Sequence, residues 1–104
     1  MTDQIADAAL ALVHLDLAPL LSGPTRKQAH RALLALTAGT VYRDWAGDVR
    51  CESDSSGTVY LVTYDECSCP ARVRCWHRIA YEALCRWEHH VRRMSAEEIE
   101  APLF

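Results

Sequence analysis

The feature that most constrains this chain is a short run from Cys67 to His77, which holds three of its five cysteines and a histidine. These residues form the pattern C-x-C, five intervening residues, and C-x-H. Cys67 and Cys69 are two positions apart, so in an extended segment their side chains point to the same side. Pro70 lacks a backbone N–H and holds φ near about −65°, which favours a turn directly after this pair. Cys75 and His77 then stand where a helical apolar pattern begins.

Thiolate and imidazole groups are the ligands that zinc prefers in closed tetrahedral structural sites. One pair of ligands at a strand end and one pair at a helix start can close around a single ion. We therefore predict that one Zn²⁺ is bound by Cys67, Cys69, Cys75 and His77. The alternatives are ordinary buried thiols, which are common in protein cores, and a disulfide, which the odd number of cysteines and the lack of a secretory signal disfavour.

Three segments resemble the SWIM-type zinc finger: the apolar strand Tyr60–Tyr64, the pair Cys67–Pro70 and the helix start Cys75–Ala80. That family is defined by C-x-C, a variable loop and C-x-H in a ββα arrangement, with C-x-H opening the helix. The resemblance covers roughly residues 40 to 94 and leaves residues 1 to 21 outside it; the five-residue loop is short for the family. It implies zinc binding and, for many members, association with DNA or with other proteins.

The pattern along the chain predicts an α+β fold with an N-terminal helical pair, a small three-stranded antiparallel sheet, a zinc knuckle and a C-terminal helix. We expect helices over 3–21 and 25–38, strands over 41–45, 49–52 and 58–64, and a last helix over 76–94. Ser95 can cap a further acidic turn. The predicted organisation is a helical segment at 1–39 that packs on the domain, a SWIM-like domain at 40–94 and a short acidic tail at 95–104.

Two helices carry apolar stripes with different implications. The last helix has a single stripe, which predicts core packing on the sheet: Trp76, Ile79, Ala80, Ala83, Leu84, Trp87, Val91 and Met94. The first helix has two adjoining stripes: Ile5, Ala8, Leu12, Leu15 and Ala6, Leu10, Val13, Leu17. This helix is expected to pack within the domain or, alternatively, to contact a partner or a second copy. Cys51 is read as a small core or surface thiol on a strand, and Cys85 is placed off the core.

Charge is distributed unevenly along the chain, whose formal net charge is −3. Residues 67–93 contain six Arg and two Glu, so the predicted zinc half is basic. The leading hypothesis is that it binds nucleic acid, DNA above all, through Arg72, Arg74, Arg78, Arg86, Arg92 and Arg93. Several of these arginines have acidic neighbours four residues away, as in Arg78–Glu82, Glu82–Arg86 and Glu88–Arg92, and a solvated helix face is the simpler reading. The alternative function is a protein-interaction adaptor without nucleic-acid contact.

Other function classes are disfavoured by what the sequence lacks. Catalytic zinc sites keep three protein ligands and an open position, whereas four strong ligands are present here, and no H-E-x-x-H motif or phosphate-binding glycine loop occurs. We therefore expect no enzyme and no small-molecule substrate. No run of about 18 apolar residues is present, and the N-terminus does not read as a secretory signal, so we expect a cytoplasmic protein without a membrane span.

Overall fold

The computed structural model describes residues 2–52, 57–63, 67 and 76–100, with side chains from 4 to 96 within those ranges. In this part of the chain the elements are helices α1 (Thr2–Asp16), α2 (Ala18–Leu21), α3 (Arg26–Ala38) and α4 (Trp76–Glu100), and strands β1 (Val41–Arg43), β2 (Val49–Glu52) and β3 (Val59–Val62). The predicted α+β class and the three-stranded antiparallel sheet are confirmed. No described helix is long and apolar enough to cross a membrane.

The predicted first helix is interrupted near its end. α1 stops at Asp16, and α2 begins at Ala18 with a proline in its first turn. Pro19 has no N–H to donate to the carbonyl four residues earlier, and its ring crowds that carbonyl, so a continuous helix over 3–21 is disfavoured. The N–H of Leu17 still reaches the Val13 carbonyl at 3.0 Å, and that of Leu20 bonds to the Leu17 carbonyl at 2.9 Å. The result is a corner that turns the chain towards α3.

α3 ends as predicted at Gly39, which adopts φ +80° and caps the helix in the left-handed conformation. The following hairpin begins with β1, which is two residues shorter than the predicted strand. Asp44 ends it because one carboxylate oxygen accepts hydrogen bonds from the N–H groups of Ala46 and Asp48, both at 2.9 Å. Such a side-chain-to-backbone turn competes with strand pairing. Gly47 completes the turn with φ +91°.

The sheet has the order β1-β2-β3 and one covered face. Directly paired residues of antiparallel strands project to the same face, so the register places two cross-strand rows under the helices: Val41, Cys51, Tyr60 and Arg43, Val49, Val62. Val41, Val49, Cys51 and Val62 are buried. The other face carries Leu61 and Val59, which are exposed. Cys51 is therefore a core thiol, one of the two readings that the sequence allowed.

α4 is longer than predicted, because it continues without a break through Ser95 to Glu100 rather than ending at Met94. No glycine or proline interrupts residues 76–100, and the alanine and glutamates after Ser95 are good helix formers. The predicted stripe does face inwards: Trp76, Ala80, Ala83 and Leu84 are buried, and the other members are half-buried.

The core consists of two clusters that meet at α4. The strand-side core joins α3, the sheet and α4, and comprises Ala32, Ala35, Val41, Val49, Cys51, Val62, Trp76, Ala80 and Leu84. The helix-side core joins the N-terminal helices to α4, and comprises Val13, Leu17, Leu33 and Ala83. The sheet was predicted as the support of the α4 stripe, but α1 and α3 cover a large part of it as well.

α1 packs on α4 with one of its two stripes and leaves most of the other exposed. Val13 and Leu17 are buried, whereas Leu12 and Leu15 are 36% and 70% exposed. Two polar contacts fix the pair of helices: the Trp87 indole N–H donates to the Ala6 carbonyl at 3.1 Å, and His90 Nε2 lies 2.7 Å from Asp16 Oδ2. One stripe of α1 therefore contacts α4, and the exposed residues of the other stripe keep the partner alternative open.

Candidate metal centre

Cys67, the first predicted ligand, is positioned by the end of β3. It forms an isolated antiparallel bridge with Val62. Bridge partners project their side chains to the same face, and Val62 points into the core, so the Cys67 thiol lies on the covered side of the sheet. This agrees with its half-buried state and its packing against the strand-side core.

His77, the last predicted ligand, lies in the first turn of α4 and is 7% exposed. Among the residues whose side chains are described, His77 is the one buried polar residue. Its ring centroid lies 4.3 Å from that of Trp76 and 5.1 Å from that of Tyr60. Tyr60 belongs to the covered face of β3, so the first turn of α4 places the His77 imidazole against that strand.

The two predicted ligands that lie within the described residues therefore contact the same short stretch of β3. Cys67 is opposite Val62 and His77 contacts Tyr60, and these two strand residues are neighbours on one face, about 7 Å apart at the rise of an extended chain. The ring nitrogen Nδ1 of His77 is buried and makes no hydrogen bond within the described residues, although the ring as a whole has other interactions. A buried imidazole and a half-buried thiol on the same face of one strand are ligand types that zinc prefers.

The other two predicted ligands, Cys69 and Cys75, lie outside the described residues, as do Arg72 and Arg74. Within the described part of the chain no three histidine, cysteine or acidic side chains gather as a metal-binding group. Two members of the predicted set cannot form such a group by themselves, so the four-ligand site stays a prediction. None of the cysteines at 51, 67 and 85 forms a disulfide.

Cys85 was expected to lie off the core, yet it is half-buried beside a polar cluster that links α4 to the sheet. Arg43 on β1 donates to the Glu88 carboxylate from Nη2 at 2.8 Å and from Nε at 2.9 Å, and its Nη1 donates to the Gly47 carbonyl at 2.7 Å. Its Nη2 also lies 3.6 Å from the Cys85 sulfur. Hydrogen bonding to Glu88 raises the pKa of Arg43 above its usual range. Desolvation and the neighbouring thiol raise the pKa of Tyr81.

The predicted basic surface of α4 is only partly available to a ligand. Arg78, Arg92 and Arg93 are exposed. Arg86 forms the predicted pair with Glu82, at 2.9 Å, and lies 3.9 Å from Asp16. The expected pair of Glu88 with Arg92 is wrong, because Glu88 is taken by Arg43. Arginines already bound to carboxylates contribute less to phosphate binding, so Arg92 and Arg93 remain the stronger candidates.

A second basic surface, which the sequence reasoning passed over, lies between α2 and α3. A concave groove of 590 Å³, here called the basic groove, is lined by Leu21, Arg26, Lys27, His30 and Arg31. The guanidinium of Arg31 also lies over the Trp76 ring, 4.9 Å from its centroid. The signal was present in the sequence, because Arg26 and His30, and Lys27 and Arg31, are each four residues apart and are therefore neighbours on the helix surface.

No family model matches the chain, and no curated protein or solved structure is detectably similar to it. The resemblance to SWIM-type fingers therefore stays a prediction from residue spacing.

Proposed function

We propose that this chain is a zinc-stabilised SWIM-type binding module whose basic surfaces contact nucleic acid, DNA above all. The observation that carries the proposal is the placement of Cys67 and His77. The two residues are ten positions apart in sequence but are seated on neighbouring residues of one face of β3. A thiol after the end of a strand and an imidazole at the start of a helix, both on one face of that strand, fit the arrangement that a C-x-C…C-x-H finger requires.

In this proposal zinc is held by Cys67, Cys69, Cys75 and His77 and has a structural role. The ion cross-links the end of β3 to the start of α4, next to the strand-side core. Such a link matters in a chain of 104 residues, whose core is small. Structural zinc contributes about 10–16 kcal/mol of apparent binding free energy in finger peptides, comparable to the whole stability of a domain, about 5–15 kcal/mol. Four protein ligands leave no position for a substrate water, so we assign the site no catalysis.

Metal analysis of two matched cysteine variants tests the site. Cys67→Ser removes a proposed ligand, whereas Cys85→Ser removes a thiol of equal size that lies outside the proposed set. We expect about one zinc per chain in the wild type and in C85S, loss of zinc in C67S, and a lower melting temperature after chelation. Full zinc content in C67S, or a metal-free wild type with an unchanged melt after chelation, would contradict the proposal.

The nucleic-acid part of the proposal is supported by charge. Arg92 and Arg93 are adjacent, exposed and form no ion pair with the described residues. Each phosphate contact adds about −0.9 to the slope of log affinity against log salt for duplex DNA. Removing both side chains in R92A/R93A should therefore weaken DNA binding and flatten the slope, as measured by fluorescence anisotropy over a salt series. A wild type that binds neither duplex nor single-stranded DNA at low salt would contradict this part alone and leave the zinc site standing.

A second candidate function, a protein-interaction adaptor, is favoured by the outer stripe of α1. Ala8, Leu12 and Leu15 lie one helical turn apart on the side that faces away from α4, and all three are exposed. An exposed apolar stripe of this kind is suited to a partner helix or to a second copy. Sedimentation at several concentrations separates the two candidates, because a dimer that dissociates in a Leu15→Glu variant supports the adaptor. A strict monomer at all concentrations counts against self-association through this stripe.

A further inference from the structure

We propose that the basic groove between α2 and α3 binds the phosphate backbone of a nucleic-acid strand. This inference rests on the proposed nucleic-acid function and assigns it a second, separate surface. Among the described residues that line the groove, Arg26, Lys27 and Arg31 are basic, His30 supplies an imidazole, Leu21 forms an apolar wall, and none is acidic. A concave surface of this size with one sign of charge concentrates the opposite charge of a ligand.

The three basic side chains and His30 are spaced along the helix in two pairs. Arg26 and His30, and Lys27 and Arg31, are each four residues apart, so the members of a pair are neighbours at about 5–6 Å between Cβ atoms. A ligand with negative charges repeated along its length can contact both turns of α3 at once. A nucleic-acid strand has one phosphate per nucleotide and meets this condition.

Two of the groove's charges, those of Arg26 and Lys27, differ from those of several arginines elsewhere in the described chain in their ion pairing. Arg26 and Lys27 form no ion pair with any described residue. Arg43, Arg50 and Arg86, by contrast, are each bound to a carboxylate at 2.9 Å or less. The first turn of α3 also lacks the acidic residues that commonly occupy a helix N-terminus. Positive charge at the positive end of a helix costs stability, which indicates that these residues serve a ligand rather than the fold.

The groove is joined to the candidate metal centre through Trp76. Arg31 lies over the indole of Trp76, and the Trp76 ring in turn contacts His77. Stacking on an aromatic ring orients the guanidinium plane while leaving its N–H edge able to donate hydrogen bonds. A change at the start of α4 is therefore expected to move one wall of the groove.

A nucleic acid fits this surface better than a membrane does. Helices that lie in a membrane interface project large apolar side chains beside their cations. The groove instead is concave, and its apolar wall, Leu21, is half-buried. We therefore take the phosphodiester backbone as the ligand and make anionic vesicles a separate arm of the test.

The experiment compares the full chain, as purified, with three double variants by fluorescence anisotropy on duplex and single-stranded DNA between about 50 and 200 mM salt. R26A/K27A removes two groove cations. R26K/K27R keeps the charge. W45E/L61E makes the same change in net charge on the hairpin turn and the open face of the sheet, where both residues are exposed. Circular dichroism confirms that each variant is folded, which is expected because all four positions lie on the surface.

We expect R26A/K27A to bind about 10- to 100-fold more weakly at about 0.1 M salt, with a salt slope reduced by about 1.8, as two lost phosphate contacts require. R26K/K27R and W45E/L61E should stay within about threefold of the wild type. If the wild type binds DNA and R26A/K27A keeps the same affinity and salt slope, the assignment of phosphate binding to the groove is wrong and the proposed function stands. An equal loss of DNA affinity in W45E/L61E would attribute the effect to net charge and would also overturn the proposal that the groove binds phosphate. Binding to phosphatidylserine vesicles but not to DNA would overturn both nucleic-acid proposals.

Discussion

Replacing Leu17 by alanine tests the packing of the N-terminal helices on α4. Leu17 is 2% exposed and packs with Val13, Leu33 and Ala83 in the helix-side core. Truncation removes the transfer free energy of the side chain and leaves a cavity between elements that cannot easily collapse. Leucine-to-alanine changes at such sites cost about 2–5 kcal/mol, a large share of the about 5–15 kcal/mol that a domain of this size has.

Leu15→Ala is the matched control for this prediction, because it makes the same chemical change two residues away. Leu15 is 70% exposed, so less than a third of its side chain leaves water on folding. A fully buried leucine side chain contributes about 1.5–3 kcal/mol, which leaves under about 1 kcal/mol at this position. Urea denaturation followed by circular dichroism gives both values by linear extrapolation. Equal losses in the two variants, or a loss under about 1 kcal/mol for L17A, would refute the helix packing described above. A concentration-dependent loss in L15A alone would instead indicate self-association.

Three further predictions concern the hairpin and the helix end. The hydrogen bond from the Arg50 side chain, with those from backbone N–H groups, lowers the pKa of Asp44 below its ordinary value of 3.8. The Asp44 carboxylate therefore stabilises the fold above about pH 4, and this contribution is lost as the pH falls through the folded-state pKa. Asp44→Asn should remove this part of the acid transition, and an NMR titration midpoint of Asp44 at or above 3.8 would contradict the prediction. Gly39→Ala should cost about 1–2 kcal/mol, because φ is +80° there although space is open, and Gly39→Asn should cost less in the same melts. Glu88→Gln should cost about 1 kcal/mol by releasing Arg43 from its two-point contact, and an unchanged unfolding midpoint would show that this contact is neutral.

Elements with strong local signals could be read from the sequence. β2 has the predicted bounds, and Gly39 ends α3 because only glycine adopts that backbone conformation without cost. The bounds that differed depended on competing local effects. Pro19 broke an apolar pattern that periodicity treats as continuous, and the side chain of Asp44 ended β1 by bonding to its own turn. Ser95 can cap a helix or continue one, and propensity alone does not decide between the two.

For the candidate metal site, the sequence predicted four ligands, of which Cys67 and His77 lie within the described residues, and the four-ligand site stays a prediction. Spacing pointed to Cys67 and His77, and the structure seats both on β3. Spacing cannot say which carboxylate an arginine will meet, because such pairs depend on tertiary contact: Glu88 binds Arg43, which is 45 residues away, rather than Arg92 on its own helix. The basic spacing along α3 was visible in the sequence, but the groove itself depends on tertiary contact, since α2 has to pack against α3 before three cations and His30 line a concave surface.

The two core clusters share α4 and also share the half-buried side chains of Leu36, Ile79 and Trp87, which pack against both. Unfolding of either cluster would expose side chains of the other to solvent, so the N-terminal helices and the sheet should unfold together as one cooperative unit. A fragment that begins at residue 40 would contain the whole of α4 but would leave the side that the N-terminal helices cover exposed to solvent. Such a fragment would expose apolar surface of α4 that its three short strands are too small to cover.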